Sequence, residues 1–137
     1  MWEFEHTIQT QADPDAIWSR WVDVASWPEW NAGVRHASLD GAFAPGARIR
    51  MELPEGDVIP LRIAEVESGQ RFVDEMDGGD FLVRTSHEVA SSPAGSARVT
   101  YRTTITGPAA ETIGPELGPQ ITGDFPEVMA ALATAAS

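Results

Sequence analysis

His87 and Tyr101 are the side chains best placed by pattern to do acid–base chemistry. In the segment 81–90, His87 shares a phase with Phe81, Val83, Thr85 and Val89. In the segment 96–106, Tyr101 shares one with Val99, Thr103 and Ile105. A histidine turned into an apolar cavity has its charged form disfavoured by desolvation and can act as acid or base. An inward tyrosine can donate to a ligand carbonyl, or stabilise charge developing on an enol or enolate oxygen. Glu75 is a third candidate. It follows Asp74 near a strand end, opposite in phase to Phe72 and Met76. Facing the cavity, its carboxylate would pair with His87 and orient it. The competing reading is plain: a histidine and a tyrosine hydrogen-bonded within the wall, and a solvated acid. His6, also on an inward phase, fits that plainer reading best.

Four of the five tryptophans, Trp18, Trp21, Trp27 and Trp30, fall in one short stretch. Each can bury roughly 150–250 Å² and still offers an N–H. Trp18 and Trp21 belong to a helical stripe and are expected mostly in the core. Trp27 and Trp30 bracket Pro28 where the chain enters the strands, so they are the better candidates for a cavity mouth.

Other chemistries find no support. The three histidines, at 6, 36 and 87, are far apart and show no zinc spacing. His87-Glu88 begins an H-E-x-x-H pattern, but Ser91 stands where the second histidine is required. Asp77-Gly78-Gly79-Asp80 lacks the remaining ligands of a calcium loop and reads as a hairpin turn. No G-x-S-x-G elbow, phosphate loop or dinucleotide motif occurs. No metal and no cofactor are therefore expected. Arg35 and His36 could meet an acidic ligand at an entrance, but strand alternation cannot turn both inward.

The formal charge is −12, from 21 acids against nine arginines and no lysine, over 137 residues. Such a field repels phosphate backbones and anionic lipid surfaces, so nucleic acid is not an expected partner. There is no cysteine, which removes disulfide and thiolate chemistry and suits a cytoplasmic location. The N-terminus shows no signal peptide, and no apolar run approaches the roughly 20 residues of a membrane span. The expectation is one soluble domain over 1–137, holding a hydrophobic small molecule, with a homodimer the one further assembly entertained.

The elements that must position these side chains follow in order. Residues 2–9 alternate as a half-buried strand. Asp13-Pro14 is a helix start, and apolar positions 17, 18, 21, 22 and 25 form its stripe. Pro28 should end that helix near Trp27. Strands are expected over 33–40, 47–53, 58–66, 70–76, 81–90 and 96–106, separated by turn residues, the last turn being Ser92 to Gly95. Short connections require an antiparallel meander. A helical period then runs from Ile113 to Ala136. Because Gly114, Pro115, Gly118, Pro119 and Gly123 interrupt it, a weak or late-starting first half is expected, with a kink near Gly123–Pro126. The sum is an α+β fold: a curved seven-stranded antiparallel sheet wrapped around a long C-terminal helix, with a short helical segment after the first strand.

This order of features resembles the polyketide cyclase/dehydrase and lipid-transport members of the START-like (SRPBCC) superfamily, the helix-grip fold. The resemblance is carried by Ala16-Ile17-Trp18, by Asp23 with Trp27-Pro28-Glu29-Trp30-Asn31, and by Leu39-Asp40-Gly41 leading to Pro45-Gly46. It continues in Ile63-Ala64-Glu65-Val66-Glu67 with Arg71-Phe72, in His87, in Gly95 to Thr100, and in Ile105-Thr106-Gly107-Pro108. It implies an internal cavity for a hydrophobic or aromatic small molecule, lipid- or polyketide-like. Some relatives carry or sense the ligand, and others react with it. The expected lining is Trp27, Trp30, Met51, Leu53, Leu61, Ile63, Phe72, Phe81, Val83, Phe125, Met129 and Leu132. A binding protein is the leading expectation, because few inward polar groups are visible. The alternative is a cyclase, dehydratase or isomerase of polyketide-like substrates, with His87 as acid/base and Tyr101 as oxyanion stabiliser.

Overall fold

The computed structural model describes residues 1–93 and 96–137. Strand β1 (Trp2–Thr10) leads into helix α1 (Pro14–Val22), a 3₁₀ turn (Val24–Ser26) and the one-turn helix α2 (Trp27–Trp30). Six strands follow: β2 (His36–Asp40), β3 (Arg48–Glu52), β4 (Val58–Glu67), β5 (Arg71–Asp77), β6 (Leu82–Ser91) and β7 (Ala97–Thr106). Helices α3 (Ala110–Thr122) and α4 (Phe125–Ala135) complete the chain. The sheet order is β1-β7-β6-β5-β4-β3-β2, with every pairing antiparallel. Consecutive hairpins build β2 to β7, and β1 closes on β7. The turn expected at Ser92–Gly95 lies partly outside the described residues.

Helix α1 starts as its sequence demands. Asp13 is extended and its carboxylate accepts the Asp15 N–H at 2.8 Å, with Pro14 in the first turn. Pro28 behaves differently from expectation. It occupies the first turn of α2, and Trp27 ahead of it is held in a right-handed helical conformation. Pro lacks only an N–H that a first turn does not use, so it can begin a turn as well as forbid one.

The C-terminal half also corrects an expectation. Helix α3 starts at Ala110 and runs unbroken through Pro115 and Pro119, so the first half is neither weak nor late, while the break falls at Gly123–Asp124, within the expected Gly123–Pro126 stretch. Packing supplies what propensity lacks. Gly114 and Gly118 lie one turn apart against the Trp2 ring. A Cβ at either would stand 2.6 Å or 2.4 Å from Trp2 atoms. Two glycines thus let the helix lie on the β1 indole, and tertiary burial overrides weak local preference.

In β4 a bulge between Ile63 and Glu65 re-phases the strand. Ile63 is buried, Glu65 reaches the outer-face Arg84 and Arg71, and Val66 packs against the core again. The core fills the space between the concave face and the helices, with Trp21, Phe72, Ile17, Ile49, Met129 and Leu132 fully buried. None of the described helices is long and apolar enough to cross a membrane.

Candidate ligand cavity

Between the sheet and the helices the core leaves a cavity of about 630 Å³. The pleat decides what faces it. Across β5, β6 and β7 the register aligns Phe72 with His87 and His87 with Tyr101. One step along, Asp74 aligns with Thr85 and Thr85 with Thr103. These two rows on the inner face place one aromatic band and one polar band side by side.

Phe72 is the hub of the aromatic band and is 0% exposed. The His87 ring stacks on it with centroids 4.0 Å apart and planes 1° from parallel. Trp18, Trp21, Trp27 and Phe43 also meet Phe72. His87 Nδ1 lies 3.4 Å from the Phe72 carbonyl, which can only accept, so Nδ1 carries the proton and Nε2 is left as an acceptor. Burial pushes the His87 pKa down to about 3, against the smaller upward pull of that carbonyl. At neutral pH His87 is therefore an uncharged imidazole.

Tyr101 stands edge-on to His87, ring centroids 4.6 Å apart. Its hydroxyl accepts the Trp21 Nε1–H at 3.0 Å, and the Trp27 Nε1–H is donated to the Trp21 carbonyl at 3.1 Å. Burial raises the Tyr101 pKa far above its ordinary value, the Trp21 bond works against that, and the Asp74 charge adds to it. Tyr101 thus keeps its own proton for donation.

Asp74 is the polar group that the sequence reading passed over. It sits on β5, the central strand, lines the cavity and is only 8% exposed. Burial first, and then the neighbouring Glu75 charge, raise its pKa to about 7. Among the described residues, no cation relieves it. Thr85 beside it is satisfied by Thr103, with the hydroxyl oxygens 2.9 Å apart.

The mouth is built from loops and ends. Asn31 and Gly33 follow α2, Glu55 and Asp57 belong to the β3–β4 turn, and Gln120 and Asp124 come from the region of the α3–α4 break. Asn31 Oδ1 accepts the Gly33 N–H at 2.9 Å. A Cβ on Gly33 would stand 3.2 Å from Asn31 Oδ1 and 3.3 Å from Asp124 Oδ2, so a side chain there would require those carboxamide and carboxylate ends to give by a few tenths of an ångström. Partial burial raises the Asp124 pKa above its ordinary value, and the nearby Glu127 adds to the rise.

A family model described as polyketide cyclase/dehydrase and lipid transport matches residues 1–137. The chain belongs to this family. A comparison with curated proteins finds no match. Among solved structures, the protein XoxI from Bacillus cereus is similar at a TM-score of 0.79 and 16% identity, covering 99% of this chain and 96% of that one. Ara h 8.0201 gives a TM-score of 0.79 at 11% identity, with 98% and 96% covered. Norcoclaurine synthase from Thalictrum flavum gives 0.73 at 15%, with 96% and 84% covered. At these identities the likeness is one of fold: the helix-grip fold of a polyketide cyclase-type protein.

Within this member of the cyclase/dehydrase family, Trp27, Trp30, Met51, Leu53, Leu61, Phe72, Val83, His87, Tyr101 and Phe125 all line the cavity. Ile63, Met129 and Leu132 face inward but are fully buried in the core, pressed between sheet and helices. Phe81 lies elsewhere: it packs over Gly78 and into a second cluster with Val83, Ile105 and Ala110. Glu75 is on the outer face, where Arg62 and Arg84 hold it at 2.8 Å and 2.9 Å. The expected carboxylate partner of His87 is therefore not there, and the cavity carboxylate is Asp74. Alternation from Phe72 and Met76 was signal enough to find it. Trp21, expected mostly in the core, is fully buried yet reaches the cavity wall. Arg35 pairs with Glu52 at 2.7 Å and His36 is exposed, so neither enters.

Proposed function

We propose that this protein encloses a hydrophobic or aromatic small molecule in the cavity between sheet and helices and works as a soluble ligand-holding protein. The observation that carries the reading is the cavity itself. Its volume of about 630 Å³ suits a small organic ligand, and its wall is largely aromatic and aliphatic, with Asp74, Thr85 and His87 inside and further polar residues gathered at the mouth. Trp30 Nε1 is buried without a partner, among the described residues, beside that space. A ligand acceptor or a water would relieve an unmet donor that otherwise costs about 1–3 kcal/mol.

The alternative is catalysis by proton transfer, and one observation favours it. Asp74, with a pKa near 7, is poised to give or take a proton at neutral pH, whereas His87 at about 3 is a weak base there. In that reading Asp74 moves the proton, His87 Nε2 accepts a hydrogen bond and Tyr101 donates one. Binding remains the primary proposal, because holding a ligand is common to both.

The test is a titration with N-phenyl-1-naphthylamine, an uncharged aromatic probe, followed by quenching of tryptophan emission. Saturable one-to-one binding is expected, and Met51→Trp, which adds bulk to a lining position on β3, should abolish it while the protein stays folded. Linear, unsaturable quenching, or binding indifferent to Met51→Trp, would overturn the proposal.

A further inference from the structure

We propose that the cavity selects a hydrophobic amine, seated with its ammonium group on the Asp74 carboxylate and its apolar body against the aromatic wall. This rests on the ligand-holding reading above and narrows it to one charge class.

Three independent observations converge. The first is the sign of the lining. Glu55, Asp57, Asp74 and Asp124 face the cavity, and none of the nine arginines does. Six arginines are tied to carboxylates that are not part of the lining: Arg20, Arg35, Arg62, Arg71, Arg84 and Arg102. A carboxylate ligand would meet no arginine and only acidic side chains, and the overall −12 would oppose its approach. A cation meets acidic groups among the lining residues instead.

The second is Asp74 as an acceptor without a donor. It is 8% exposed, faces the cavity, and has no hydrogen-bond or ion-pair partner among the described residues. A buried carboxylate is normally paired, because leaving it charged and alone is costly. An ammonium group brings the missing charge and up to three N–H donors. The His87 Nε2 lone pair, freed because Nδ1–H faces the Phe72 carbonyl, offers a second acceptor in the same wall.

The third is the aromatic wall. Trp21, Trp27, Trp30, Phe72 and Tyr101 all line the space. Ring faces attract cations, and more strongly where water is excluded. A wall that is greasy, aromatic and acidic suits a ligand both apolar and positive, with the Trp30 N–H and the Tyr101 O–H left to meet a neutral acceptor on the same ligand.

Calorimetric titration with three naphthalene probes of matched size tests this: 2-(1-naphthyl)ethylamine, 2-(1-naphthyl)ethanol and 1-naphthylacetate, at pH 7.5. The amine should bind at least about tenfold tighter than the alcohol, and the carboxylate at least about tenfold weaker. Asp74→Asn should bring the amine down to the alcohol's affinity and leave the alcohol within about threefold. Asp74→Ser gives the same readout if the amide disturbs folding. An alcohol bound as tightly as the amine would show Asp74 acting as a neutral donor and overturn the amine assignment, leaving the ligand-holding proposal intact. An amine preference of full size in both variants would overturn Asp74 as its anchor. Binding of none of the three probes would overturn the cavity proposal and this one together.

Discussion

Asp74 and Glu75 are chain neighbours on the same central strand, and the pleat sends them to opposite faces. Glu75, 11% exposed on the side chain, lies between Arg62 and Arg84 on the outer face. That face continues as a lattice of arginines and acids: Arg84 with Glu65, and Arg71 with Glu65, Glu67 and Glu88. Asp74, on the inner face, has an aromatic band on one side, threonines on the other, and no cation among the described residues. Two carboxylates one residue apart therefore serve different ends. The outer one is neutralised and structural. The inner one is left unmet, at a cost to the free protein, in the space where a ligand would sit. Where a fold leaves a buried charge unpaired while pairing its neighbour twice, the unpaired group is the better functional candidate.

The largest effect expected from breaking this contrast lies in the packing that holds the inner face together. Phe72→Ala removes the ring on which His87 stacks and against which Trp18, Trp21, Trp27 and Phe43 pack. A fully buried aromatic of this kind costs about 3–5 kcal/mol on truncation. Urea denaturation should show that loss, and a change below about 1 kcal/mol would mean that the aromatic band does not stabilise the wall.

Next comes the unpaired charge. Asp74, with its pKa raised from 3.8 to about 7, keeps its proton in the folded protein where the unfolded chain has already released it. Stability therefore falls as pH rises from about 4 to about 7. His87, lowered from 6.5 to about 3, is neutral in the folded protein where the unfolded chain is protonated. Its contribution runs the other way, and stability is lost as pH drops from about 6.5 to about 3. The two slopes oppose each other over most of that interval. Asp74→Asn should thus be more stable than the parent at pH 8, by on the order of a few kcal/mol, with the gain shrinking towards pH 4. It should also uncover the His87 slope, giving a variant that weakens steadily on acidification below pH 6.5. Denaturation curves at a series of pH values check both. Parallel profiles for parent and variant would mean that Asp74 titrates as an ordinary surface acid.

Most of this architecture was legible because strands advertise themselves twice, by alternation and by turn chemistry. All seven expected strands coincide with observed ones to within a few residues, the largest gap being at the start of β2. What local pattern could not reveal is where the elements press on one another. Helix α3 reads as broken, and it holds because Gly114 and Gly118 admit Trp2, a contact made across the whole chain. Inward-facing residues were likewise readable. Yet whether an inward residue touches core or cavity depends on how closely a helix covers it, and that separates Met129 and Leu132 from Val128 and Phe125. The mouth was the least legible part. Asn31, Gly33 and Asp124 belong to a loop and a helix break, which carry no period to read.

The smallest expected effect bears on the outer member of the pair. Glu75→Gln removes a charge flanked by Arg62, whose side chain is 60% exposed, and Arg84, 37% exposed. Solvent and salt screen such pairs, so the cost should be about 1 kcal/mol and should shrink further at high ionic strength. The informative consequence is on the other face. The Glu75 charge is one of the two causes that raise the Asp74 pKa, after burial. Removing it should lower the Asp74 midpoint while the remaining desolvation keeps it well above 3.8. Carboxyl-detected NMR titration of Asp74 in parent and variant measures this directly. A midpoint unmoved by Glu75→Gln would mean that the two faces do not communicate through the sheet. A downward shift would show that the outer lattice, though nearly neutral in stability, sets the charge of the group lining the cavity.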